Sequence, residues 1–331
     1  MVVSTPPSEI GIDPRRLRQW KTGAVIAALI FFGGFAAFGV FSHGGAGFAA
    51  LRSVNPAILP VMLALSCVNY FMRGTRWVMF CKALGLDVPV WHNALYYVAG
   101  FALTATPGKA GEAVRLWLLN RGHQFKYRDT ASLLIADRLS DAQATALGAC
   151  VSASFVAGYQ RAAFIAFGLV LVATILCFFP RLFLSLVGLF YRITGWMPRM
   201  LVMARRVIRP LSRFTHPRVL LASLLLGMCG WFAEGVSLWV VLNALGTPVP
   251  VMAAVFVFAF GMIVGALSFL PGGLGSTEAT MIGLLHLLGV PMPQALAATA
   301  VVRVTTLWFA VSLGFLAMPL AVRLQRDMVS A

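Results

Sequence analysis

Acidic side chains are scarce in this chain: 10 Asp plus Glu stand against 26 Lys plus Arg in 331 residues, and charged residues make up only 11%. An ordinary soluble domain carries about 25% charged residues, so a water-exposed globule is excluded. Cysteine is sparse as well. Cys67, Cys81, Cys150, Cys177 and Cys229 sit singly in apolar stretches without a CxxC pair, which excludes a disulfide framework or a thiolate metal site and leaves small buried hydrophobes. His43, His92, His123, His216 and His286 form no HExxH pattern, and no GxxxxGK[ST] element occurs. Zinc hydrolysis and ATP-driven pumping therefore lack their motifs, and no metal or other cofactor is expected. What fills the chain instead is apolar: 60% hydrophobic residues and a mean hydropathy of +0.87.

Apolar segments run at 22–42, 55–80, 93–120, 131–157, 161–187, 218–244, 251–289 and 294–322. Several approach the ~20 residues that one helical bilayer crossing needs, so the fold class is an all-α polytopic membrane protein. The net charge of +16 lies between these segments, as topogenic flanks do, and nucleic acid is not an expected partner. Residues 1–21, with Arg15, Arg16, Arg18 and Lys21, read as a cytoplasmic basic N-terminus, and 22–54 as a first transmembrane helix with its external loop. The run at 22–42 is longer than the ~7–15 apolar residues of a cleavable signal.

The second segment returns to the cytoplasm at Arg73, Arg76 and Lys82. Segment 93–120 is followed by Arg121, Lys126 and Arg128, so it must return to the side from which it came. Pro107-Gly108-Lys109-Ala110-Gly111 supplies the break, making it a re-entrant helical hairpin reached from the cytoplasm. The basic stretch 188–217 reads as a cytoplasmic or interfacial linker suited to anionic inner-leaflet lipids, and 323–331 as a cytoplasmic tail. Segment 251–289 is then a second hairpin, entered from outside and broken at Pro271-Gly272-Gly273-Leu274-Gly275.

The two halves repeat. Tyr70-Phe71-Met72-Arg73-Gly74, Ala83-Leu84-Gly85 and Val88-Pro89 match Trp231-Phe232-Ala233-Glu234-Gly235, Ala244-Leu245-Gly246 and Val249-Pro250 at a constant offset of 161. Pro107-Gly108, Gly111 and Glu112 pair with Pro271-Gly272, Gly275 and Glu278, and Arg138 with Arg303, after a small drift. Repeat A spans 55–187 and repeat B 218–322. Because one hairpin opens inward and the other outward, the sequence predicts an inverted-topology repeat with both termini inside, the architecture of many secondary transporters.

Helix N-termini after each break favour phosphate or carboxylate, and glycine lets a head group approach the backbone. The expected substrate-binding residues are Lys109, Gly111, Glu112, Arg115, Arg138, Gly272, Gly273, Gly275, Ser276, Glu278 and Arg303, around the hairpin tips Pro107, Gly108 and Pro271. Asp137 and Asp141 offer Arg138 a neutralising alternative, and Glu278 offers Arg303 one. Arg73, Arg76 and Glu234, in matching segments, suggest an interior ion pair across the repeats, structural in role.

The element Pro107-Gly108-Lys109-Ala110-Gly111-Glu112 with Arg115 and Arg138, followed by Pro271-Gly272-Gly273-Leu274-Gly275 with Glu278, resembles the flippase-like membrane domain of lysylphosphatidylglycerol synthases over about residues 20–325. The resemblance implies a lipid translocator, not a synthase, since the soluble synthase domain is not among these residues. It extends to relatives linked with polyprenyl-phosphate sugars and hopanoids. The expected function is a non-enzymatic flippase for a phosphate-bearing lipid, working by alternating access in the bacterial cytoplasmic membrane. A second copy of the chain is a candidate partner. Two rival readings are an intramembrane lipid-phosphate transferase or hydrolase and a carrier of hopanoids, other amphiphiles or small anions.

Overall fold

The computed structural model describes residues 46–106, 110–125, 127–156, 158, 160–178, 185, 188, 214 and 216–330. The predicted first crossing at 22–42, the tip residues Pro107, Gly108 and Lys109, and most of the linker 188–217 lie outside these residues, as does the side chain of Glu112. Among the described residues every regular element is helical. The helices are α1 (Ala46–Arg52), α2 (Leu59–Ala83), α3 (Val90–Ala99), α4 (Ala110–His123), α5 (Tyr127–Ala153), α6 (Gln160–Phe178), α7 (Pro217–Ala244), α8 (Val251–Leu267), α9 (Ser276–Leu287), α10 (Met292–Arg303) and α11 (Phe309–Ser330).

Among the described residues, three stretches are long and apolar enough to cross a bilayer: Pro56–Ala83, Pro217–Ala244 and Met292–Gln325. The last joins α10 to α11 through a π-turn at Val304–Trp308, where the sequence suggested one uninterrupted helix. The limbs on either side of the first break are short. α3 has 10 residues and α4 has 14, so at 1.5 Å per residue they reach about 15 and about 21 Å, less than a ~30 Å hydrocarbon core.

The loop after α2 and the loop after α7 are copies in backbone terms. Gly85 and Gly246 take φ of 73° and 71°. Leu86 N–H donates to Cys81 O (3.0 Å) and Thr247 N–H to Leu242 O (3.1 Å), the same Schellman closure. Pro89 and Pro250 then set the next helices off with φ, ψ of −52°, 135° and −55°, 139°. The aligned α2 and α7 pack antiparallel: Gly227 faces Arg76, Gly230 faces Asn69, and Trp231 faces Arg73.

Two apolar cores result, and each borrows a helix from the other half. Trp77, Tyr96, Leu103, Leu118 and Leu133 of the first are closed by Ala310 and Ala321 of α11. The second, built on Leu238, Val257, Met281 and Ala298, takes Ala153 from the end of α5, which packs along α8. The breaks meet where the cores join. Ala105 clusters with Leu307, Trp308 and Val311, against Leu274, and a side chain at Gly272 would stand 3.5 Å from Ala105 Cα.

Close backbone approach explains the glycines that hold the first break. A Cβ on Gly111 would fall 2.0 Å from Gly100 O, and one on Gly314 of α11 would fall 2.0 Å from Ala102 N. Gly111→Ala and Gly314→Ala should each destabilise the protein by ~1–3 kcal/mol or more, read as a lowered thermal midpoint in detergent. Gly148→Ala, with nothing within 4 Å of the added methyl, should leave the midpoint unchanged or raised.

Candidate functional site

Arg73 and Arg76 lie three residues apart on α2 and share a helix face; Asp137 and Asp141, four apart on α5, do the same. Facing one another, these pairs interlock. Arg76 Nη2 donates to Asp137 Oδ1 and Asp141 Oδ1, both at 2.6 Å, and Arg73 Nη2 donates to Asp141 Oδ2 at 2.7 Å. From α5 itself, Arg138 Nη2 reaches Asp137 Oδ2 at 2.9 Å and Asp141 Oδ2 at 3.0 Å. Arg115 of α4 completes the group, its Nη1 3.6 Å from Asp137 Oδ2.

Among the described side chains, four guanidiniums thus surround two carboxylates. The acids are saturated, and the arginines are not. Among the described residues, Nε of Arg73, Nε and Nη1 of Arg76, and Nε and Nη1 of Arg115 are buried donors without a hydrogen-bond partner. Aromatic faces carry part of the load. The Arg115 guanidinium lies 3.9 Å from the centroid of Tyr97 and 5.5 Å from those of Trp77 and Phe101, and Arg73 lies 5.0 Å from that of Trp231. Arg138 is the outermost of the four, with 32% of its side chain exposed. Among the described side chains the group therefore carries more positive than negative charge.

The interior pairing of Arg73 and Arg76 with Glu234 is not what forms. Both arginines pair with Asp137 and Asp141, because two carboxylates one helical turn apart present a surface that a single glutamate cannot. What α7 offers to Arg73 is the ring of Trp231. Asp137 and Asp141, weighed from sequence only as neutralisers of Arg138, are shared by all four arginines.

The second break is organised differently. Glu278 Oε2 accepts from Gly275 N–H at 2.6 Å, capping α9, while Arg303 Nε donates to Glu278 Oε1 at 2.5 Å. Arg303 Nη2 then donates to Gly272 O at 2.9 Å. Both side chains are buried, with residue exposures of 5% and 2%. Gly272, Gly273 and Gly275 all have positive φ, and Gly273 packs against Gly265 and Thr277. Ser276 Oγ donates to Gly273 O at 3.1 Å and lies 2.8 Å from Ser268 Oγ. Pro271 opens this turn.

Of the residues anticipated around one cavity, then, Arg115 and Arg138 belong to the arginine cluster. Gly272, Gly273, Gly275, Ser276, Glu278 and Arg303 form a staple across the second break, and Gly111 is a packing contact under the first. Tyr70 connects the groups: one turn from Arg73, its Oη donates to Thr306 O at 2.5 Å, just beyond Arg303.

Removing one partner of a buried ion pair strands the other, a cost of about 3–5 kcal/mol. Arg303→Ala and Glu278→Ala should each lose on that order in thermal unfolding. Arg138→Ala should lose far less, since Asp137 and Asp141 keep other guanidiniums.

Comparison with known proteins adds the following. A family model described as the lysylphosphatidylglycerol synthase TM region matches residues 23–314. A UPF0104 membrane protein of Methanothermobacter thermautotrophicus is 25% identical over 296 residues, which is 82% of this chain and 87% of that protein. Another match to a UPF0104 membrane protein of that organism is 22% identical over 312 residues, covering 86% of this chain and 87% of the relative.

Proposed function

The chain belongs to the lysylphosphatidylglycerol synthase transmembrane-region family, and from that membership we propose that it moves a phosphate-bearing lipid between leaflets by alternating access, without chemistry on the lipid. One observation carries the reading: four arginines share two aspartates inside a membrane domain, and buried donors on Arg73, Arg76 and Arg115 have no hydrogen-bond partner among the described residues. Intramembrane arginine costs at least ~2.5 kcal/mol and marks a pathway or a partner. A surplus of guanidinium is costly unless an anion completes it, and a phosphate oxygen fits the planar fork.

The architecture supports alternation. Helices repeated at a constant offset that pack antiparallel are what an inverted repeat requires, and limbs too short to cross belong to hairpins that return to their own side. On this reading 93–120 enters from the cytoplasm, 251–289 enters from outside, and both termini are cytoplasmic in a cytoplasmic membrane. Irregular backbone where Ala105 meets Gly272 is acceptable at depth because it is buried in protein.

Purified protein in liposomes, followed by exchange of a fluorescent phosphatidylglycerol, tests the function. Arg138→Ala removes a charge-assisted hydrogen bond worth ~1.5–3 kcal/mol, so exchange per folded molecule at limiting lipid should fall about tenfold to a hundredfold, with Lys restoring only part. Undiminished exchange in the Ala variant would remove the cluster from the pathway. For sidedness, single cysteines at 121–125 in a cysteine-free background should react only from the cytoplasmic side; labelling from outside would break the hairpin assignment.

A further inference from the structure

Among the described residues, Glu234 is a buried acidic side chain that the interactions above leave over. It sits in the middle of α7, its residue exposure is 3%, and its Oε2 has no hydrogen-bond partner among the described residues. The antiparallel register that sets Gly227 on Arg76 and Gly230 on Asn69 brings Glu234 opposite Ser66 and Tyr70 of α2, with Ser237 one turn along its own helix. Among the described residues, Asn69 Nδ2 and Ser237 Oγ are also buried without hydrogen-bond partners.

The charged and titratable groups in electrostatic reach are Tyr70 and Arg73 of α2 and Arg303 of α10. None pairs with it. Tyr70 Oη donates to Thr306 O, Arg73 is held by Asp141, and Arg303 by Glu278. On α5, Ser140 and Ala144 lie at Gly227 of α7 while Asp137, Arg138 and Asp141 are engaged in the arginine cluster, and α8 presents Val255 and Phe258, which are apolar. An ionised carboxylate here would forgo hydration with no ion-pair partner; the uncharged acid does not.

We propose that Glu234 is an intramembrane proton-binding site whose occupancy is linked to anion binding at the arginine cluster. This deepens the lipid reading and rests on it for the identity of the anion. Trp231, which carries the Arg73 guanidinium on its face, precedes Glu234 by one helical turn, so Arg73 stands between Asp141 and Glu234. A proton on Glu234 Oε2 leaves the charge of Arg73 to Asp141 and the bound anion. Loss of that proton adds one negative charge beside the cluster and weakens the hold on a phosphate. By reciprocity, anion binding draws a proton onto Glu234. Two neighbouring guanidiniums argue against a metal cation as the occupant, and among the described residues no group of three His, Cys, Asp or Glu could hold one.

Infrared difference spectroscopy of the purified protein decides the first half. Between about pH 5 and about pH 10, a window spanning ordinary carboxyl and amine values, the wild type should show a protonated-carboxyl band that Glu234→Gln abolishes. Glu234→Asp, which keeps the carboxyl on a shorter stem, should shift that band and serves if the Gln variant does not fold. If neither variant alters any such band, the proton site is overturned. The second half uses dihexanoylphosphatidylglycerol, whose diester phosphate keeps one charge through the window. Wild-type binding should tighten as pH falls, and Glu234→Gln should bind at every pH as tightly as the wild type at its acid limit. Retained pH dependence in Glu234→Gln overturns the linkage. No binding of this probe, with the Glu234 band present, would count against the lipid reading and leave the proton site standing.

Discussion

A wholly buried guanidinium in a membrane domain needs partners that offset its charge, and the meeting of Arg76 with Asp137 and Asp141 fixes the positions of the helices around it. It pins α2 to α5 at 2.6 Å on two contacts. It also dictates the surface of α7, the third helix over the same spot. A Cβ on Gly227 would press to 2.6 Å from Ala144 Cβ and 3.1 Å from Arg76 Nη1, and one on Gly230 to 3.2 Å from Asn69 Nδ2. Small residues one turn apart let the backbone close over the ion pairs, as helices in lipid commonly do when dispersion and hydrogen bonds must replace the hydrophobic drive.

The loops after α2 and α7 share their geometry, and the charges near them differ. The closing loops after α2 and α7 agree to within a few degrees. Among the described residues, arginines gather on α2, α4 and α5 beyond what Asp137 and Asp141 neutralise, whereas Arg303 is engaged by Glu278 at the second break. Among the described residues the unneutralised positive charge thus gathers beside α2, α4 and α5 and not at the second break.

Much of this was legible from the residues. Pro-Gly clusters inside apolar runs announce interruptions because proline removes a donor and glycine tolerates positive φ, and between α8 and α9 Gly272, Gly273 and Gly275 all take positive φ. The repeat showed in the spacing of Gly85 and Gly246 because a Schellman closure demands a left-handed residue at one position. Pairing was less legible. Which carboxylate answers which arginine depends on the rotation of α5 against α2, and a linear offset carries no rotation; Arg73 and Glu234 occupy aligned positions yet Arg73 turns to Asp141. Arg138 and Arg303 show the same limit, since alignment matched their numbers and said nothing of the caps and rings beside them. The signal that could have found the cluster was present: Asp137, Arg138 and Asp141 on one helix, opposite Arg73 and Arg76 on another, in a chain with only 10 acidic residues.

The exchange of helices between the two cores bears on how the chain is made. α3 and α4 form the first break early in synthesis, yet the surface that receives them, Gly314 against Ala102 with Ala310 and Ala321 nearby, lies in α11. Roughly 190 residues separate the end of α4 from the start of α11, a wait on the order of 10–40 s at ~5–20 residues per second of translation. Throughout that interval the glycine-lined turn and the arginines beside it must be sheltered by lipid, by water at the insertion machinery, or by a chaperone, and the earliest part of the domain reaches its final packing only when the last helix is delivered.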